Sequence, residues 1–289
     1  MRIHRSIVLT ALMPSTIRNR EDFAVAVHKS AACGLDTIEF FTDFSNSAAW
    51  GNILHEYGLR SVYLAAYYQK KNGFDLCAVS NTKRQNAIDA GRRCIDAALE
   101  AGAQRVVISG GRYPDTAEDE NLAWEALADS ICFLMEHSKE QIAISLEPGD
   151  RDIEAMQLLG PTKDSLLIAK LIKEKYKMFW LTMDTSHIAQ LGEDPRTSLT
   201  IAAPYFDHVH IANCILDPTS ALYGDKHPSF DTDNVVYSRT QLKQLTQTII
   251  SNCQHPDITV GIEVISAGAI EDLHNILNSE RWLFEVNIA

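Results

Sequence analysis

The chain has 289 residues, enough for one large domain or two small ones, and 46% of it is hydrophobic, enough to bury a sizeable core. Lys and Arg number 26 against 38 Asp and Glu, a formal charge of −12, which argues against any function built on non-specific attraction to nucleic-acid phosphates. The six cysteines form no CxxC pair and sit among apolar residues, so they read as buried free thiols rather than a disulfide framework.

The N-terminus has two arginines before a short apolar run. That run is at the lower limit for a secretory signal, and Pro14, Arg18 and Arg20 follow it instead of a small-residue cleavage site. It reads as a first strand, SIVLTAL at 6–12, followed by a helical pattern at 21–34 that Gly34 closes. DTIEFF at 36–41 is the second strand, with a short helix from Ser47 to about Tyr57 behind it. RSVYLAAYY at 60–68 reads as the third, and a loop leads from it into a long helix at 82–102. RVVISGG at 105–111 is the fourth, its double glycine marking a turn or a close backbone approach. A helix at 117–138 opens with acidic residues, which suit the positive end of the helix dipole.

Strands five to eight are QIAISLEP (141–148), MFWLTMDT (178–185), FDHVHIAN (206–213) and ITVGIEVI (258–265). Between them lie a helix from Thr162 to about Tyr176, a short one near 194–203, an irregular stretch at 214–237 and a helix at 238–252. A last helix from about Ala269 to Leu277 and the C-terminal residues complete the chain.

Strand and helix alternate eight times, and the strands are continuous apolar runs, as in a parallel sheet covered on both faces. The length and repeat number predict a (β/α)8 barrel over residues 1–289 as a single domain. The open doubly wound sheet is the alternative, but no GxGxxG follows the first strand. No stretch approaches the roughly 18 apolar residues of a membrane span. The expectation is therefore a soluble, cytoplasmic protein that engages neither membrane nor nucleic acid.

Four of the strands end on hard metal ligands: Glu147 in SLEPGD, Asp184 in TMDTSH, His210 in HVHIAN and Glu263 in GIEVI. In a (β/α)8 barrel the C-terminal strand ends share one face, so residues on strands five to eight are neighbours around one mouth. Three carboxylates and one imidazole suit Mn²⁺, Mg²⁺ or Co²⁺ with positions left for substrate oxygens. For any one of these acids alone, a helix cap or a solvated loop is the commoner explanation. Four in succession point to a shared site.

LEP, MDTSH, HVHIAN and GIEV in this order resemble the signature of the xylose isomerase-like TIM barrels, the sugar phosphate isomerase/epimerase superfamily, and within it the ketose 3-epimerases. The resemblance implies one divalent ion of the Mn²⁺ type, held by Glu147, Asp184, His210 and Glu263. It also implies a carbohydrate substrate, with Glu147 and Glu263 as the acid/base pair that removes and returns a proton α to a carbonyl. His187 matches a histidine that contacts substrate oxygens, with a cap or supporting role as the alternative. Glu39 matches a polar residue lining the substrate pocket, with a solvated loop acid as the alternative. His208, two residues before His210 and on the same face, reads as a core or supporting residue.

Two departures from the epimerase pattern bear on the substrate. Ile153 stands where a further glutamate is expected, and Leu216 with Asp217 where a substrate-gripping arginine is expected. Instead there is a long loop, 217–234, from which Lys226 or His227 can reach over the mouth, and loops of this length are usually functional. The leading expectation is a metal-dependent isomerase or epimerase of a keto sugar. A lyase or deglycosidase acting on a 3-keto sugar by β-elimination is the alternative, and a non-catalytic sugar-binding relative fits the intact ligand set less well. Large barrels often pair, so a homo-oligomer is also an expectation.

Overall fold

The computed structural model describes residues 1–266, 268 and 270–279. Eight parallel strands close into a barrel in chain order: β1 (Arg2–Val8), β2 (Thr37–Phe40), β3 (Arg60–Leu64), β4 (Arg105–Ser109), β5 (Ala143–Glu147), β6 (Phe179–Asp184), β7 (Phe206–Ile211) and β8 (Asp257–Ile262). The ring is sealed by β1 on β8, Arg2 to Ile7 pairing with Asp257 to Ile262. The α-helices among the described residues are α1 (Leu9–Leu12), α2 (Arg20–Ala32), α3 (Ser47–Glu56), α4 (Ala65–Asn72), α5 (Asn81–Glu100), α6 (Glu120–Ser138), α7 (Thr162–Lys175), α8 (Thr185–Gln190), α9 (Pro195–Ala202), α10 (Arg239–Asn252) and α11 (Ile270–Ser279). Among the described residues no helix is long and apolar enough to cross a membrane.

The predicted (β/α)8 architecture is the observed one, with differences at three strands. β1 stops at Val8, where its register with β2 ends at Glu39, and Leu9–Leu12 turn into α1. β3 stops at Leu64, and AAYYQKKN, read partly as strand and partly as loop, is α4, closed by Gly73 at φ 64°. A short buried apolar run looks alike as strand or helix, so periodicity alone could not separate them. β8 ends at Ile262 rather than 265. The expected start of the last helix at Ala269, and the C-terminal residues 280–289, lie outside the described residues.

Apolar side chains on the outside of the barrel seat the helices. Phe23 on α2 packs on Phe40 of β2 and on Trp50 of α3, with ring centroids 5.5 and 6.3 Å apart, and the Trp50 indole N–H donates to Thr16 O at 2.9 Å. Aromatic contacts of this kind add roughly 0.5–1.5 kcal/mol beyond the area they bury. Buried polar residues, among them Ser6, Glu39, Ser145, Thr182 and His208, occupy alternate positions on the strands. A polar group buried there needs a fixed partner, and these residues carry the site above them.

Candidate active site

Glu147 is the last residue of β5, Asp184 the last of β6, His210 the last but one of β7, and Glu263 the first after β8. Asp184 pairs in register with His210, and His210 with Gly261, so these positions stand side by side around the mouth. His210 Nδ1 lies 2.9 Å from Glu147 Oε1, 2.9 Å from Glu263 Oε2 and 3.9 Å from Asp184 Oδ2. The ligand atoms of all four residues lie within 4.8 Å of one another.

Asp184 both caps a helix and faces the site. Its Oδ1 accepts from the Ser186 N–H at 2.6 Å, the Ser186 hydroxyl at 2.7 Å and the His187 N–H at 3.1 Å, which starts α8. Its Oδ2 is buried and has no hydrogen-bond partner among the described residues. An orphaned carboxylate oxygen is costly in a protein interior. An imidazole N–H can donate one good bond, yet three carboxylates gather at His210 Nδ1. A divalent cation among the four residues would satisfy all of these atoms, so the donor set fits such an ion.

Burial pushes the Glu147 carboxyl up, but the charged His210 outweighs it and holds the group down at about 2. Burial opposes charging His210, and Glu39, Glu263 and Glu147 override it, raising the imidazole well above its usual value.

Glu39 corrects both readings made of it. It is 0% exposed, so it is no solvated loop acid, and it does not line the mouth cavity. It lies beneath His210: Glu39 Oε2 is 2.9 Å from His210 Nε2 and 3.1 Å from His208 Nε2, while Ser6 Oγ donates to Glu39 Oε1 at 2.8 Å. Burial raises its pKa, but the two imidazoles lower it further, so it stays ionised. His208, fully buried with Nδ1 2.9 Å from Thr182 Oγ1, has the supporting place expected of it. Burial dominates there and holds its pKa down.

The loop at 217–234 covers one side of the mouth through Asp225 and His227. Asp225 Oδ1 is 3.2 Å from His187 Nε2 and 2.5 Å from His227 Nε2, and its Oδ2 accepts from Lys70 Nζ at 3.0 Å. His187 is held from behind, its Nδ1 2.8 Å from Pro148 O. His227 takes the left-handed conformation (φ 38°), which few non-glycine residues adopt, and its carbonyl accepts from Ile265 N–H at 2.9 Å. Its Nδ1 has no hydrogen-bond partner among the described residues and lies 4.0 Å from both Asp184 Oδ2 and Glu263 Oε2. Burial opposes charging either histidine, but Asp184 and Asp225 raise His187 to about 10, and Glu263 with Asp225 raises His227 to about 9.

Lys226 departs from expectation. It is turned away from the cavity, paired with Glu154 at 2.6 Å, and Glu154 also accepts from the Asp225 N–H at 2.8 Å. A cavity of about 240 Å³ is lined on its polar side by Lys70, Glu147, His210, Asp225, His227 and Glu263. Sequence reading missed Lys70 and Asp225. Lys70 was hidden because the end of the third strand was drawn too long. Asp225, two residues before His227, could have been found as an acid paired with that histidine in a functional loop.

A closed parallel barrel with such a donor set at its C-terminal mouth has the layout of (β/α)8 enzymes. The chain belongs to the xylose isomerase-like TIM barrel family, which it matches over residues 27–271. No match is found among curated protein sequences. Among solved structures, a D-tagatose 3-epimerase-like protein is similar with a TM-score of 0.73 and 16% identity, over 99% of this chain and 97% of that one. D-psicose 3-epimerase from Clostridium cellulolyticum H10, solved with D-tagatose, gives 0.68 and 11%, over 98% and 97%. The 3-keto-D-glucoside 4-epimerase from E. coli gives 0.66 and 17%, over 99% and 100%. At these identities the likeness is one of fold.

Proposed function

We propose that this protein is a divalent-metal-dependent epimerase or isomerase of a keto sugar or sugar derivative, with Mn²⁺ the favoured ion and Mg²⁺ or Co²⁺ as substitutes. The observation that carries the reading is the meeting of Glu147, Asp184 and Glu263 around His210 Nδ1, at the wall of a cavity of sugar size. Family membership and the epimerases among the structural neighbours support it. A divalent ion held by these four residues would supply positive charge for the oxygen of a carbonyl whose α proton is removed.

The chain's own residues then divide the work. Glu147, ionised and fixed at the end of β5, accepts or returns the proton from one side of the cavity. Glu263, 18% exposed, faces the same space and serves as its counterpart. Removal by one carboxylate and return by the other inverts the carbon, whereas return at the neighbouring carbon isomerises the sugar. His227 and Lys70 offer N–H donors to substrate hydroxyls at the cavity wall, while His187, its two ring nitrogens facing Pro148 O and Asp225 Oδ1, holds the Asp225 carboxylate in place. Lys226 steadies the loop through Glu154.

One observation keeps β-elimination from a 3-keto sugar as a second reading. His227 lines the cavity, and its Nδ1, without a hydrogen-bond partner among the described residues, is placed to act as the acid for a leaving group. Deuterium uptake from solvent at the carbon α to the carbonyl, over a panel of ketoses and 3-keto glycosides, tests both. Uptake without cleavage supports epimerase or isomerase, and uptake with release of a leaving group supports the lyase. No uptake with any of them would sink both.

A further inference from the structure

We infer that Glu39 is a positioning residue for this centre: it holds the Nε2–H of His210 and so presents the Nδ1 lone pair of that imidazole to a divalent cation. The inference rests on the metal reading above. An imidazole has two ring nitrogens, and the partner of one sets the role of the other. An ionised carboxylate only accepts, so a Glu39 oxygen 2.9 Å from Nε2 requires the proton there. Nδ1, the atom at which Glu147 and Glu263 arrive, is then the nitrogen that gives up its proton to ligate.

Glu39 is itself fixed from three strands. Ser6 on β1 donates to Oε1, and His208 on β7 faces Oε2 with its own ring backed by Thr182 on β6. The His208 ring meets that of His210 edge-on, centroids 4.8 Å apart at 81°. Gly261 on β8, the register partner of His210, completes the arrangement: a Cβ there would overlap Glu39 Oε1 and press on His210 Cδ2. Four strands thus leave the carboxylate one place to stand, under the ring that it orients.

The test compares Mn²⁺ binding to the wild-type protein, Glu39→Gln and Glu39→Asp, read as free Mn²⁺ by electron paramagnetic resonance. Alongside it, ¹⁵N-histidine NMR of the Mg²⁺-loaded wild type reads the proton position on His210. The expected result is an Nε2–H tautomer at His210, a loss of affinity on the order of 10- to 100-fold in Glu39→Gln, and partial recovery in Glu39→Asp, which keeps the charge. Wild-type affinity in Glu39→Gln, or a proton on Nδ1 in the loaded protein, overturns the role of Glu39 alone. A wild type that binds no Mn²⁺ overturns the metal reading and this inference with it. If Glu39→Gln does not fold, the wild-type tautomer decides.

Discussion

Asp184 and His210 are register partners on adjacent strands, yet Asp184 Oδ2 stops 3.9 Å short of His210 Nδ1. The gap is too wide for a hydrogen bond, and among the described residues that oxygen has no hydrogen-bond partner. Its sister oxygen meanwhile caps α8 with three donors. The carboxylate is thus held in place by the helix and left open toward the site.

An ion in that gap links to folding. Saturating Mn²⁺, at about 100 times its dissociation constant, stabilises the native state by about 2.7 kcal/mol, a rise of roughly 5 °C in Tm for a chain of this size. A chelator reverses the rise, and Asp184→Asn or Glu147→Gln abolishes it. Differential scanning fluorimetry with and without Mn²⁺ makes the comparison.

Metal affinity will climb with pH. The metal-free protein keeps His210 protonated above its usual range because Glu39, Glu263 and Glu147 outweigh burial, and Nδ1 must lose that proton before it ligates. Binding therefore releases about one proton, and affinity rises up to about tenfold per pH unit until the pH passes the pKa of His210. Calorimetric titration in buffers of different ionisation enthalpy counts the proton; a release near zero would contradict the assignment of Nδ1 as ligand.

The metal-free protein loses stability on the alkaline side. His187 and His227 are raised from 6.5 to about 10 and about 9 by their carboxylate neighbours, against the opposing effect of burial. A group whose folded pKa is raised contributes fully below its unfolded value, and that contribution fades as pH climbs through the folded value. Urea unfolding of chelated protein should show stability falling between pH 6.5 and 10. In His187→Gln that fall is smaller.

Glu147 and Glu263 separate from Lys70 by kinetics. On the proposed roles, each changed to Gln loses a base as well as a ligand, and α-proton exchange slows by about 10²–10⁴-fold. Lys70→Met removes a donor at the cavity wall, and its effect falls mainly on KM, by about tenfold. Steady-state kinetics beside deuterium exchange distinguishes the two patterns.

Glu154 ties the loop down from outside. Its pair with Lys226 is exposed, 43% and 41%, and contributes less than about 1 kcal/mol, but it also accepts from the Asp225 N–H. In Glu154→Ala the global Tm hardly moves, while limited proteolysis cuts faster within 217–234. Unchanged cleavage would show that His227 and Ile265 hold the loop unaided.

The barrel and the four-residue centre were legible in the chain because parallel strands buried on both faces are written as continuous apolar runs. Their last residues must then share a face, which brings Glu147, Asp184, His210 and Glu263 together from four separate motifs. Glu39 was legible as chemistry but misplaced: the alternation in DTIEFF does not reveal that it points into the barrel beneath His210. Lys226 and Asp225 are neighbours in sequence, and the loop turns one outward to Glu154 and the other inward to His187 and His227.

The sequence by itself therefore determined the barrel and its metal-type residues, since periodicity and strand ends are local properties that one chain states openly. Only the tertiary structure decided that Nδ1 of His210 faces Glu147 and Glu263 while Nε2 faces Glu39, that Lys70 reaches the mouth from α4, and that Asp225 rather than Lys226 enters it. Those outcomes depend on the register between strands and on the path of one loop. Both are set by packing among residues far apart in the chain, and no local pattern records them.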